Sequence, residues 1–382
     1  MKPLRVAFLT TDKREHDRDY ANPAPGFGTA PAALLPGFAR MADLEVHVVA
    51  CTQHPMTAPA KLADNIYYHS LLVPKSGWLR TAYAGCIRAV RRKLQEIGPD
   101  IVHGQGTERD CGITAIFSGY PNVVTIHGNM RMSARVNHAA PFSYQWIAAR
   151  LERFTLPRSD GVVCITNYTR EAVASLARKT WVVPNAVDGS FFEIKSSPSP
   201  VLQILCVGSV DGRKNQNALI RAADSLRPNG DFELLFLGGA NRETPYVREF
   251  FGLLETRPWC RYAGFADRNG LKQYLASASG LILPSLEDNC PMVVLEAMAA
   301  GVPVAAARVG GVPDLVRHDE TGWLFDPLNS EEMARSLKLL LVDRERPLAV
   351  RAKTEAWSRF RPEIIAARHV EIYREVLASH RP

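Results

Sequence analysis

The sequence predicts an α/β protein made of two doubly wound, parallel-sheet domains. Three observations predict it. Short apolar runs alternate with helical stretches along the whole chain. The runs are almost continuously apolar, as strands covered by helices on both faces must be. The series breaks once, at the Ser/Pro-rich stretch EIKSSPSP between Phe192 and Val201, which reads as a linker. The length of 382 residues also exceeds a single domain of about 150 residues.

The expected strands of the first domain are 6–10, 45–50, 101–103, 123–126 and 161–165, each rich in Val, Ile or Leu and bounded by Gly, Pro, Asn or Asp. Those of the second are 203–208, 233–238, 261–263, 280–284 and 304–306. Residues 83–97 form a predicted helix, with Tyr83, Ile87, Val90, Leu94 and Ile97 at helical spacing. Residues 362–377 form another, with Pro362 at its first position. Ligands of such sheets sit beyond the carboxyl ends of the strands. Two sheets facing each other would leave a cleft there, and function is expected in it.

The composition, 46% apolar and 22% charged, is that of a globular chain and excludes a disordered, collagen-like or coiled-coil protein. No apolar run approaches the ~20 residues of a membrane span. The start lacks the apolar core of a signal peptide. Seven scattered cysteines contain no CxxC pair, so neither a disulfide framework nor a zinc site is expected. The expected location is cytoplasmic. Charge is uneven: up to Asn185 there are 22 basic and 14 acidic residues, and after it 24 and 25. Arg88, Arg91, Arg92 and Lys93 flank the apolar stripe of the helix 83–97. They form either a solvated face or a surface that meets an acidic acceptor or anionic lipid at the inner membrane face. No recognition motif for nucleic acid accompanies them.

Four segments can carry chemistry. In PSLEDNCPMVVLEAMAAGVPVAA, a strand ends, a polar turn follows, and Pro291 opens a helix. The first N–H groups, at Met292 and Val293, have no partner within the helix, and with the macrodipole they suit an anion such as a diphosphate. Glu296 lies one turn further on the same face, an acceptor for two neighbouring hydroxyls such as those of a ribose. Glu287 and Asp288 lie in the turn. A capped helix with solvated carboxylates is the plainer alternative. In VGSVDGRKNQ, Gly208 and Gly212 allow a tight turn, and Arg213 and Lys214 place positive charge at a strand end, either as phosphate ligands or as an exposed basic turn. In PAPGFGTAPAA, Gly26 and Gly28 let backbone N–H groups approach a phosphate. They stand too far from the first strand for a dinucleotide fingerprint. In TIHGNMR, His127 at a strand end is either a structural histidine or a group that exchanges a proton or binds a sugar hydroxyl. The loop DKREHDRDY, with Asp17 and Asp19, reads as solvated and mobile.

Together these segments resemble retaining glycosyltransferase family 4 (glycosyl transferases group 1). The likeness includes DIVHGQG, TIHG, SDGVVCITNYTRE, VVPNAVD, YAGF, GGVPDLV and TGWLFDP, and so covers most of the chain. It implies the GT-B architecture of two facing Rossmann-like domains with a cleft between them. Residues 1–190 would be the acceptor domain and 200–357 the nucleotide-sugar domain, with a C-terminal helix (358–382) crossing back to the first. It implies a metal-independent, Leloir-type transferase without a cofactor. Such an enzyme moves a sugar from a nucleoside-diphosphate sugar, UDP favoured over GDP, to a hydroxyl of a glycan, lipid-linked saccharide or small molecule, as in polysaccharide biosynthesis. By resemblance, His127, Lys214 and Asp288 are catalytic. Gly28, Gly208, Ser209, Arg213, Lys214, Asp288, Pro291, Met292, Val293 and Glu296 would bind the donor. Gly26, His127, Asn129 and Arg131 would bind the acceptor. Two positions depart from the family's pattern: Ser209 stands where it has arginine, and Asp288 where it has glutamate. A sugar-nucleotide epimerase and a non-catalytic sugar-nucleotide-binding protein are the alternatives.

Overall fold

The computed structural model of the chain describes residues 2–136, 138–197, 199–229, 232–342 and 347–380. They form two compact units, one of residues 1–186 with 362–382 and one of residues 187–361. Each is a twisted, mostly parallel sheet between helices, the α/β class that the apolar runs predict.

The first unit contains β1 (Leu4–Leu9), β2 (Leu44–Thr52), β3 (Lys61–Ala63), β4 (Ile66–Leu72), β5 (Ile101–Gln105), β6 (Asn122–Ile126), β7 (Gly161–Cys164) and β8 (Thr180–Val182). Their order is β3-β4-β2-β1-β5-β6-β7-β8, with β3 antiparallel to β4 and the others parallel. β1 shows why the runs are continuous. Val6 and Phe8 pack on one face with Leu34, Phe38, Ile365 and Tyr373. Ala7 and Leu9 pack on the other with Val90, Leu94 and Ile97. Alternate side chains point to opposite faces, so two helix layers demand an apolar residue at every position.

The helix Pro362–Ser379 packs on the helix Thr29–Ala39. A Cβ on Gly37 would stand 2.1 Å from the carbonyl oxygen of Pro362, so only glycine permits this approach. The helix Ala84–Ile97 buries Cys86, Val90, Leu94 and Ile97 and leaves Arg88, Arg91 and Arg92 exposed, while Lys93 pairs with Glu96.

The second unit contains β9 (Leu202–Val207), β10 (Phe232–Leu237), β11 (Cys260–Gly264), β12 (Gly280–Leu283), β13 (Val304–Ala307) and β14 (Trp323–Phe325) in the order β11-β10-β9-β12-β13-β14, all parallel. The stretch read as a linker lies within this unit: the Ser197 N–H donates to the carbonyl of Ala276 at 2.7 Å. Its Pro198 lies outside the described residues.

The sequence reading missed β3, β4, β8 and β14. β4 reads IYYHSLL, and its half-exposed Tyr67, His69 and Ser70 break the apolar run. β3, β8 and β14 have three residues each, too few to show a period. The charged loop is also corrected. Lys13–Asp17 is a short helix capped by Asp12. Arg14 is buried, bonded to Asp12 at 2.7 Å, to the carbonyl of Asn22 at 2.6 Å and to that of Thr57 at 2.8 Å. The Tyr68 hydroxyl donates to Asp12 at 2.6 Å. Burial alone would raise the Asp12 pKa, but the bonds from Arg14 and Tyr68 outweigh it and hold it below the usual range. A buried charge is tolerated once it is paired and fully hydrogen-bonded. Asp17 and Asp19 remain exposed.

Candidate functional site

In the second unit, the ends of β9 and β12 and the turn after β13 are tied into one platform. β9 ends at Val207, and Gly208 follows with φ +155°, so close to Gly238 that a Cβ on Gly238 would meet the Gly208 oxygen at 2.1 Å. The chain turns through Asp211, whose carboxylate accepts from the Lys214 N–H at 3.0 Å. β12 leads into residues 284–291. The Leu286 N–H donates to the Arg213 carbonyl at 2.7 Å, and the Gly311 N–H to the Asp288 carbonyl at 3.0 Å. At Gly310, with φ +53°, a Cβ would stand 1.9 Å from the Asp288 oxygen.

This platform brings together most of the expected donor residues. The Lys214 ammonium pairs with the Asp288 carboxylate, which also accepts from the Ser285 hydroxyl at 3.2 Å. The helix Met292–Ala300 begins at Pro291, which offers no side-chain cap. Met292 and Val293 are the first two residues of that helix and partly exposed, and N–H groups at this position have no acceptor within their own helix. Glu296 is 3% exposed and pairs with Arg268 at 3.2 Å. Burial raises its pKa, and Arg268 partly opposes the rise.

Arg213, expected among the donor ligands, is engaged with the turn itself. It donates to the Glu287 carbonyl at 3.0 Å and faces the Glu287 carboxylate at 3.8 Å, so it braces the turn. Burial raises the Glu287 pKa, against the pull of Arg213. Ser209 is exposed, and its carbonyl accepts from the Gln216 side chain at 2.9 Å.

Arg268 is the residue that sequence reasoning missed. It opens the helix Arg268–Ser277, stacks over Phe191 at 5.0 Å and lies beside both Glu296 and Asp188. One of its terminal nitrogens is buried without a partner among the described residues. Nothing in the local pattern FADRNGL marks it, because its partners are 28 and 80 residues away in sequence.

In the first unit, His127 follows β6, and its Nε2 lies 2.9 Å from the side-chain oxygen Oε1 of Gln105, at the end of β5. The Gln105 amide reaches His103 at 2.9 Å, and His103 meets the Tyr373 hydroxyl at 2.6 Å and the Thr125 hydroxyl at 2.7 Å. A cavity of about 10 Å³, room for roughly one water, is lined by Gln105, Thr125, His127, Asn185 and His369. Burial pushes the His127 pKa down to about 4, against a hydrogen bond with Asn185, so its imidazole is neutral at pH 7.

Asn129 caps the next helix, Met130–Val136, accepting from the Met132 N–H at 2.9 Å. The N–H groups of Met130 and Arg131 donate to the buried Glu152 at 2.8 and 3.4 Å. The Asn129 amide nitrogen and one Arg131 nitrogen are buried without partners among the described residues. Gly26 and Gly28 lie beyond β1: the Gly26 carbonyl accepts from the Lys13 N–H at 2.7 Å, and Gly28 precedes the helix Thr29–Ala39. The nearest approach to a metal-ligand set among the described residues is Cys51, Cys86 and Asp110, with donor atoms within 4.8 Å. A hydrogen bond to Cys86 and burial push the Cys51 thiol up, and burial raises Asp110, which disfavours the ionised forms that a metal ligand needs.

The buried histidines give a pH prediction. His103 is fully buried and held well below 6.5 by burial; His369 is driven to about 3 by burial and the nearby His127. Each depressed pKa means that the unfolded chain binds the proton first. Stability is therefore complete above pH 6.5 and falls as pH drops towards the folded values. Between pH 7 and pH 5 the loss is up to about 2 kcal/mol per buried histidine. Urea unfolding at both pH values measures it, and a constant midpoint would contradict neutral burial.

Residues 27–191 match the family described as Glycosyltransferase Family 4, and residues 189–357 match Glycosyl transferases group 1. Sulfoquinovosyl transferase SQD2 of Arabidopsis thaliana is 33% identical over 145 residues, 37% of this chain and 27% of that protein. The GDP-mannose-dependent alpha-(1-6)-phosphatidylinositol monomannoside mannosyltransferase of Mycobacterium tuberculosis is 26% identical over 238 residues, 56% of this chain and 62% of that protein. The match thus spans less than two thirds of either relative. The solved structure of Anabaena Alr3699/HepE in complex with UDP superposes with a TM-score of 0.71 at 19% identity, covering 98% of this chain and 100% of that one, and shows the same GT-B fold.

Proposed function

The chain belongs to the family 4 glycosyltransferases (glycosyl transferases group 1), and from that premise we propose that it is a retaining transferase using a nucleoside-diphosphate sugar, UDP before GDP, with a hydroxyl as acceptor. The observation that carries this reading is the open N-terminus at Met292 and Val293 with Lys214 and Glu296 beside it. The diphosphate binds the two N–H groups and Lys214. The ribose hydroxyls bond to Glu296, and Asp288 turns from Lys214 to the donor sugar. The acceptor is held by the first unit, where His127, Asn129 and Arg131 lie beyond β6.

The bond from sugar C1 to the diphosphate oxygen breaks, and a bond from C1 to the acceptor oxygen forms on the same face. The acceptor's proton passes to the departing diphosphate. Negative charge grows on that phosphate, and Lys214 with the helix N-terminus stabilises it, which takes the role of a metal ion. UDP bound to the structural neighbour supports a uridine donor, while the mannosyltransferase relative uses GDP-mannose. A thermal-shift panel of UDP-, GDP- and ADP-sugars decides among them: a donor at about a hundredfold excess over Kd adds roughly 2.7 kcal/mol. NMR of the product formed from an α-linked donor is expected to show the α-anomer. Turnover of the donor alone to an epimer, or binding without turnover, would instead favour the two alternative classes.

The exposed Arg88, Arg91 and Arg92 beside Ile87 and Phe117 support peripheral contact with anionic lipid. No described helix is long and apolar enough to cross a membrane. Each basic residue near an anionic surface contributes about 1 kcal/mol. Vesicles containing phosphatidylglycerol are expected to retain the protein at low salt and release it at high salt. Equal retention on neutral vesicles would remove the idea.

A further inference from the structure

We propose that the acceptor carries an anionic group, a phosphate mono- or diester, and that Arg18, Lys75 and Arg109 bind it. The proposal rests on the transferase reading and names the acceptor's class. The first unit holds a cavity of about 570 Å³, large enough for a sugar phosphate. Its walls come from the segments just past β1 (Glu15, His16, Arg18, Tyr20), β2 (Gln53, His54), β4 (Lys75) and β5 (Arg109). These four strands are parallel neighbours in the order β4-β2-β1-β5. The cavity therefore sits at the carboxyl edge of the sheet, where the order reverses between β1 and β5, the position at which doubly wound sheets bind ligands.

The charge of the lining is one-sided. Three permanent cations face one carboxylate, Glu15. Glu15 is already occupied, accepting from the Gln53 N–H at 3.0 Å and meeting His54 Nδ1 at 3.2 Å. Tyr20 stacks on His54, with ring centroids 4.4 Å apart, and so fixes that imidazole as a further polar group in the wall. Arg109 lies over the ring of Trp78 at 5.6 Å, and the Trp78 indole is bonded to the Val73 carbonyl at 3.0 Å. That stack orients the guanidinium, whose carboxyl neighbours Glu108 and Asp110 have pKa values raised by burial and, among the described residues, form no ion pair with it. Arg18 sits in the left-handed region at φ 57°, closing the helix Lys13–Asp17, so the turn itself carries the cation. Among the described residues none of Arg18, Lys75 and Arg109 has an ion-pair partner. A cavity of this size whose lining carries three cations and one carboxylate selects an anion, and Arg with Lys suits phosphate oxygens.

The test uses the full chain with saturating UDP, so that the donor site is filled. Thermal shift is read with glucose 6-phosphate against glucose, and with monomeric dihexanoyl phosphatidylglycerol against dihexanoyl phosphatidylcholine. The phosphorylated sugar or the anionic lipid is expected to raise the midpoint, and the winning arm tells a soluble acceptor from a lipid one. The triple variant Arg18→Gln, Lys75→Gln, Arg109→Gln is expected to weaken that binding about tenfold or more and leave the UDP affinity unchanged. The proposal is overturned if neutral probes bind equally, if no anionic probe binds, or if the triple variant binds as the wild type does. Failure of the transferase reading is read separately, as a wild type that binds no nucleotide or nucleotide sugar.

Discussion

Glu296→Gln is expected to weaken UDP binding about 10- to 100-fold, the loss of charge-assisted hydrogen bonds of roughly 1.5–3 kcal/mol. The carboxylate is almost wholly buried, held at 3.2 Å by Arg268, and placed one turn inside the helix whose N-terminus is proposed to bind the diphosphate. Glutamine keeps the volume and can still accept from Arg268, so the fold is expected to survive with a lower stability. Pyrophosphate, which lacks the ribose, is expected to bind both proteins alike. The same residue sets a pH dependence. Burial raises the Glu296 pKa above the ordinary glutamate value, so donor affinity falls as pH drops through that raised value. The fall is expected to vanish in Glu296→Gln. Calorimetric titration of both proteins with UDP and with pyrophosphate checks all three statements, and equal loss of both ligands would show a damaged fold in place of a lost ribose contact.

Lys214→Ala is expected to reduce kcat about 10²- to 10³-fold, the scale of removing one donor from a site of developing negative charge. Lys214 lies on the turn after Gly208, and its backbone is fixed by Asp211 and its ammonium by Asp288. In the proposed reaction its charge is worth most when the phosphate departs, so kcat is expected to fall more than KM rises. Arg213→Ala is the contrast. That side chain holds the Glu287 carbonyl and carboxylate, and its loss is expected to loosen the turn and raise KM with a smaller effect on kcat. Steady-state kinetics of the two variants separates them. Matching kcat losses would mean that Arg213 also meets the phosphate.

The parallel sheets were legible because strands such as β1 and β12 must be apolar on both faces. β4 was not legible, because a partly exposed strand can use tyrosine, histidine and serine. The candidate donor platform was legible where its residues are local in sequence. Pro291, Met292 and Glu296 belong to one strand–turn–helix unit, and Gly208 and Lys214 to another. Arg268 and the chain from Tyr373 through His103 and Gln105 to His127 were not, because their partners come together only through tertiary packing. Arg14 misled for a related reason. A run of charged residues looks solvated unless one knows that Asp12, itself bonded by Tyr68, and the carbonyls of Asn22 and Thr57 await Arg14 in the interior.

A crystal structure of the protein with an unhydrolysed UDP-sugar tests the donor site most directly. The diphosphate oxygens are expected at the N–H groups of Met292 and Val293, with the Lys214 ammonium turned from Asp288 towards them and both ribose hydroxyls on Glu296. A nucleotide bound elsewhere, with the pairs Lys214–Asp288 and Arg268–Glu296 intact, would contradict that placement.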